Sequence, residues 1–423
     1  MAKVAIFERR PPGSFPLCAD PSFDPYAAGQ LRTLVEAVSL EIGEVRPLGV
    51  ILTGSLARGE GALASAADRA TRWLSDIECL VVFADAAAQW RGSLGEALDK
   101  TAAKLEAAAK AHAVGLDIQL VPMLASRLAR MRPAIFTREL AEHGKLLWGA
   151  PGAIPMPAPE LEDARLLRAD AFRLLNNRIM EQVAARARCE EGRAAPCESG
   201  YALSKFWTEL ATSLSVFLDC YRPSYRERQG AMHATLASPH GPLAAEIARD
   251  LLQPLDAAMR LRRGEFDATQ WPREAGFARA AGLAQRIWHW ESGRMLAAAD
   301  EGAAGAGDWR AIPARLRRVA TLSQCARDWL RWFLRPDVSR RMSLRAVSRA
   351  WRAGSPGNAI YAAGCLLDFF WSDIGSQSVR GREIVRLLGP LLGFRSRRRP
   401  PLRPQLVARA VTAWRSHLRD AAL

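Results

Sequence analysis

The sequence predicts an α+β protein: a small mixed-sheet domain followed by a mainly α-helical region. Three observations carry that expectation. Short apolar runs alternate with amphipathic helical stretches across residues 24–150. A Pro-rich stretch, APGAIPMPAPE at residues 150–160, then interrupts the pattern as a linker would. Beyond it, helical spacing dominates and convincing strand signals disappear.

Each element follows from local pattern. Residues 1–23 are rich in Pro and lack period, so they read as an extended arm. From Pro25 to Glu44, Leu31, Leu34, Val38 and Ile42 recur at three- and four-residue spacing, which predicts an amphipathic helix. LGVILTG is a short apolar run closed by glycine, the pattern of a buried strand, and IECLVVF is a second. An Ala-, Leu- and Lys-rich helix is expected between Trp90 and Ala113, then a third strand in VGLDIQLVPM ended by Pro122. RPAIFTRELAEHGKLLWG should form a helix with a short extended tail. The four expected parts are the arm at 1–23, the mixed-sheet domain at 24–150, a helical domain at 151–300 and an Arg-rich helical domain at 301–423, with EGAAGAGDW as the hinge before the last.

Composition narrows the class. Of 423 residues, 49% are hydrophobic and 24% charged, values of an ordinary folded protein and not of a disordered or fibrous one. No uncharged apolar stretch approaches the ~18 residues needed to cross a bilayer. NAIYAAGCLLDFFW carries Asp368 and reads as a buried helix. The seven cysteines form no C-x-x-C pair, so reduced thiols in a soluble, cytoplasmic protein are expected. The charge is uneven. Residues 311–423 hold 22 Arg, no Lys and six acids, enough to account for the whole excess of +15. Such a region suits either a solvated Arg-rich face or contact with nucleic acid or another polyanion.

Three features of the first domain carry chemistry together. Gly54 and Ser55, in TGSLARGEG, end the first strand. Asp76 and Glu78, in SDIECLVVF, open the second, and Asp117 stands at the start of the third. Carboxylates at i and i+2 on a strand share a face, and a third on a neighbour completes an oxygen cage suited to Mg²⁺. A glycine-opened turn beside it offers N–H groups to phosphate. The plainer alternatives are a turn with a hydroxyl cap at Gly54-Ser55 and a capping box at Ser75-x-x-Glu78 that would start a helix.

GSLARGE followed by SDIECLVVF resembles the nucleotidyltransferases of the DNA polymerase beta superfamily, above all the minimal and antibiotic nucleotidyltransferases. The likeness spans residues 30–150. It implies that Asp76 and Glu78 bind Mg²⁺, as a pair of ions, and that Asp117 is a third metal-binding carboxylate that helps deprotonate the acceptor. It implies further that Gly54 and Ser55 hold the β- and γ-phosphates of a nucleoside triphosphate, taken as ATP, with Arg58 as a charge partner. The implied reaction is attack by an acceptor hydroxyl on the α-phosphate with release of pyrophosphate. The chain departs from the pattern in the longer stretch from Ser55 to Asp76, where GALASAADRATRWL should add a loop or helical turns, and in having Glu at position 78. In relatives a following helical domain contacts the acceptor. Lys205 is the candidate there, either touching phosphate or pairing with Glu209 along its helix.

Asp117, Glu139 and Glu209 are the candidate general bases, and Arg222, Arg226 and Arg228 are candidate anion ligands. The acceptor is expected to be a small molecule or carbohydrate. The alternatives are RNA, DNA or a protein side chain reached through the basic region, and a nucleotide-binding scaffold without turnover.

Overall fold

The computed structural model describes residues 23–41, 45–65, 71–73, 75–111, 117–150, 152–157, 164–237, 242–296, 308–333, 353–376, 378–392 and 402–422. The expected N-terminal arm apart from Phe23, most of the 301–309 hinge and the RSRRRPP stretch lie outside them. The chain divides into two compact units. The first comprises Met1–Leu167, Tyr221–Ala231 and Asp256–Gln270, and the second the remaining segments Arg168–Cys220, Met232–Leu255 and Trp271–Leu423.

The first unit holds a four-stranded mixed sheet in the order β5-β4-β1-β6, where β1 is Gly49–Thr53, β4 Ile77–Phe83, β5 Ile118–Leu124 and β6 Lys145–Gly149. Central β1 is buried at every position, and it pairs antiparallel with both β4 and β6 while β4 and β5 run parallel. Strand alternation sorts the apolar residues onto two faces. Val50, Leu52, Ile77, Cys79, Val81 and Ile118 pack with helices α1 (Phe23–Glu41) and α3 (Arg91–Ala111). Ile51, Leu80, Val82 and Met123 pack on the other face with Leu128 of α4 (Ala125–Ala129), Leu140 of α5 (Ile135–His143) and Ile154. Ile154 belongs to the Pro-rich stretch read as a linker. Its Cδ1 fills the space beside Gly49, where a Cβ would lie 2.5 Å away.

Three local expectations change. Pro122 does not end β5 but lies within it, opposite Val81. Proline is tolerated there because β5 is an edge strand and need not donate on both sides. The extended tail after α5 is a full strand, β6, completing the sheet. Among its described residues, the long stretch after Ser55 adds no helical turn beyond the four-residue α2 (Gly54–Ala57). It forms a β-hairpin of β2 (Leu63–Ser65) and β3 (Thr71–Trp73).

Among its described residues the second unit consists of helices and the turns that join them, with no strand. It takes in α6 (Ala164–Glu190) from Arg168 onward, α7 (Pro196–Phe217), α10 (Arg273–Leu296) and further helices between Ile312 and Ala422. Helices α8 (Tyr225–Ala237) and α9 (Pro242–Arg262) contribute residues to both units. Its core is built on Trp207 and Trp288, both fully buried, with Phe172 5.6 Å and Phe369 6.3 Å from the Trp288 ring. The indole N–H of Trp288 donates to Asn176 Oδ1 at 3.1 Å, which satisfies the one polar atom of the buried ring. NAIYAAGCLLDFFW is a buried helix, as expected, within Pro356–Phe369 and the turn after it. No described helix is long and apolar enough to cross a membrane.

Candidate metal-nucleotide site

Strand register brings the sequence-marked residues to one end of the sheet. Thr53, the last residue of β1, is the partner of Glu78 on β4, and its hydroxyl donates to the Glu78 carbonyl at 3.1 Å. The chain then turns sharply. Gly54 takes φ +69°, the left-handed region that glycine alone enters without steric cost. Its bare Cα also leaves room for the Glu78 carboxylate, because a Cβ there would stand 2.5 Å from Oε2. The phosphate-turn candidate and a metal-ligand candidate are thus in direct contact.

Asp76 and Asp117 stand one residue ahead of β4 and β5. The Ile77 N–H donates to the Asp117 carbonyl at 2.8 Å, and Ile77 pairs with Ile118. The two aspartates therefore occupy neighbouring positions at the start of adjacent parallel strands. By alternation Asp76 and Glu78 share the face of Leu80 and Val82, and Asp117 shares that of Val121 and Met123. Asp76 and Glu78 are half-buried and Asp117 is exposed. Ser75 does not cap a helix: its Oγ accepts from the Ala62 N–H at 2.7 Å, and a strand follows.

Among the described residues no group of three or more His, Cys, Asp or Glu side chains is gathered closely enough to hold a metal ion. The donor set that fits Mg²⁺ is the Asp76–Glu78 pair. Mg²⁺ characteristically takes one or two carboxylates and completes its octahedron with water and substrate phosphates.

The turn after Gly54 is a single helical turn, α2, and too short for a sizeable dipole. What stabilises it comes from elsewhere in the same unit. The guanidinium of Arg58 is almost fully buried, with Nε 3.1 Å from Glu60 Oε2 and Nη1 2.5 Å from Glu139 Oε2 on α5. Arg228 Nη2 and the Tyr221 hydroxyl donate to the other Glu139 oxygen at 2.9 and 3.0 Å. Both oxygens of this candidate general base are thereby engaged. Glu60 accepts from Ser224 Oγ at 2.8 Å and from the N–H groups of Tyr225 and Arg226, each at 2.9 Å. Arg58, Arg262 and Arg228 lie 4.4, 4.6 and 5.1 Å from the centroid of the Tyr225 ring.

Burial alone would raise the Glu60 carboxyl, but the charge of Arg58 and the donors from Tyr225, Arg226 and Ser224 outweigh it and hold it below its ordinary value. Arg58, expected beside the phosphates, therefore spends its guanidinium on two carboxylates and an aromatic ring. Of the other candidate anion ligands, Arg228 is buried in this cluster, while Arg222 and Arg226 are exposed. Glu60, Tyr221, Ser224, Tyr225 and Arg262 had no role in the sequence reading. The only signal was the adjacency of Arg58 and Glu60 within the motif itself.

Lys205 belongs to the second unit. Its Nζ is 3.8 Å from Glu181 Oε2 on α6, and Glu209 faces Arg178 at 3.6 Å. No protein-family model matches the chain, and no curated protein or solved structure matches it.

Proposed function

We propose that the protein is a Mg²⁺-dependent nucleotidyltransferase that moves a nucleoside monophosphate from a nucleoside triphosphate, with ATP as the donor, to an acceptor hydroxyl. The observation that carries this reading is the contact of the left-handed Gly54 turn with the Glu78 carboxylate, beside Asp76 and Asp117 at neighbouring strand starts. One side of the site supplies backbone N–H groups for phosphate oxygens, the other supplies hard anionic donors. Bound there, Mg²⁺ would neutralise charge on the triphosphate and on the departing pyrophosphate.

The chain's own residues have separate tasks. Thr53 to Ser55 orient the β- and γ-phosphates through the backbone. Asp76 and Glu78 hold the cation side. Asp117, exposed at the rim, takes the proton from the acceptor hydroxyl as its oxygen attacks the α-phosphate; the bond from the α-phosphorus to the bridging oxygen breaks and pyrophosphate leaves. The acceptor proposed is a small hydroxyl compound such as a carbohydrate.

The test is incubation of the full chain with each labelled triphosphate, Mg²⁺ and a cell extract, followed by identification of what becomes labelled. The double variant Asp76→Ala, Glu78→Ala should lose labelling while its circular dichroism is retained. Persistent labelling would move the site elsewhere. Triphosphate binding without pyrophosphate release from any acceptor would favour a non-catalytic scaffold.

A further inference from the structure

We infer that Glu60, with Arg58 and Glu139, is a positioning device that locks the Gly54–Gly59 turn to the segment Tyr221–Arg228. The phosphate-binding part of this inference rests on the nucleotidyltransferase reading; the mechanical part rests on geometry alone. A single helical turn bounded by Gly54 at φ +69° and Gly59 at φ +70° has little stiffness of its own. Glu60 supplies what the turn lacks at both of its ends. Its backbone N–H donates to the Ser55 carbonyl at 2.8 Å, closing the turn from inside. Its carboxylate grips the first N–H groups of α8, 165 residues further along the chain, where orphan donors need an acceptor.

Arg58 adds a second strap. Its fork spans Glu60 and Glu139, and Glu139 in turn holds Arg228 and Tyr221. α5, which carries Glu139, packs through Leu140 on the same sheet face as Leu80, the face that Glu78 shares. Arg262 ties the Glu60 carbonyl as well, at 3.1 Å. Apart from the Glu60–Ser55 backbone bond, every connection is a directional, charge-assisted bond rather than an apolar contact, so the pieces are held in one relative geometry and not merely pressed together. The turn therefore cannot shift without disturbing residues 221–228.

The experiment uses the full chain and the variants Glu60→Gln, Arg58→Lys and Tyr221→Phe. Amide hydrogen exchange and equilibrium binding of Mg²⁺–ATP are read in parallel. Glu60→Gln should speed exchange about tenfold or more, in residues 53–61 and 221–228 together, the scale of losing one charged hydrogen-bond set. Exchange in β1 and β4 should be unchanged. Arg58→Lys keeps the charge but loses the fork, and should act in the same direction. If Glu60→Gln fails to fold, Tyr221→Phe, which removes one donor to Glu139, decides through a smaller joint increase.

Faster exchange in one segment alone would overturn the coupling. Joint loosening with ATP affinity unchanged would overturn the role in phosphate positioning, and joint loosening with weakened affinity would support it. If the unmodified chain binds no triphosphate, the nucleotidyltransferase reading and the phosphate role fall, while the exchange data still decide whether the two segments are locked.

Discussion

Gly54 and Glu78 form a pair in which the missing side chain of one makes the space for the carboxylate of the other. Substitution at Gly54 separates strain from function. Gly54→Ala must hold an alanine at φ +69°, a cost of about 1–2 kcal/mol. The added methyl meets the far end of a flexible side chain, so Glu78 can swing away at little further expense in stability. We expect a modest loss in urea denaturation but a disproportionate loss of nucleotidyl transfer, because the carboxylate is displaced. Equal losses in both would show that Glu78 has no special place in the site.

Glu60 makes acid stability diagnostic. Its folded-state carboxyl is held below the ordinary 4.5, so its contribution is present above that value and is lost as pH falls through the depressed one. Thermal unfolding followed from pH 6 downward should show a decline below about pH 4.5 that is weaker in Glu60→Gln. The variant itself should be less stable at pH 7 by about 1–3 kcal/mol, since its buried donors lose an anionic partner.

Asp368 predicts the opposite slope. It is fully buried in the helical unit, and burial pushes its carboxyl up to about 7 against the pull of Arg186 and of Gln182, whose Nε2 lies 3.2 and 3.3 Å from its two oxygens. An acid raised in the folded state stabilises fully below its unfolded value near 3.8, and that contribution fades as pH rises towards 7. Asp368→Asn should flatten this part of the stability profile between about pH 4 and 7. An unchanged profile would assign the neutral-pH titration to another group.

The Arg-rich C-terminal third gives a test of the acceptor. If the acceptor is small, binding of RNA or DNA should be negligible at physiological salt and unrelated to turnover. If a polynucleotide is the acceptor, affinity should fall steeply between 50 and 200 mM salt, as released counterions drive it. Some of these arginines already have partners within the fold: Arg380 faces Asp373 at 3.8 Å, and Arg403 faces Glu190 at 2.6 Å.

Strands β1 and β4 were legible because each is a compact apolar run, as an interior position in the sheet demands, and the edge strand β5 was legible from its own run of apolar residues. β6 was not, because KLLWG follows α5 with only Gly144 between them and looks like the frayed end of that helix. The β2–β3 hairpin was hidden by Ala, Ser and Arg, residues with little strand preference. At the site, the residues with strand-start positions could be named from spacing. The cluster around Arg58 could not, since Glu139 lies 81 residues away and Tyr225 lies 165 residues beyond Glu60. Long-range pairing of charges leaves no periodic trace, so the protein partners of the motif arginine were not legible in the sequence.

Pro122 has a consequence beyond its own strand. β5 forms one rim of the sheet, and a rim of unpaired backbone invites a strand from another molecule to add on. A ring in place of an N–H midway along that rim makes it a poor template for such growth. The residue that looked like the end of a strand is better understood as a guard against fibrous self-association.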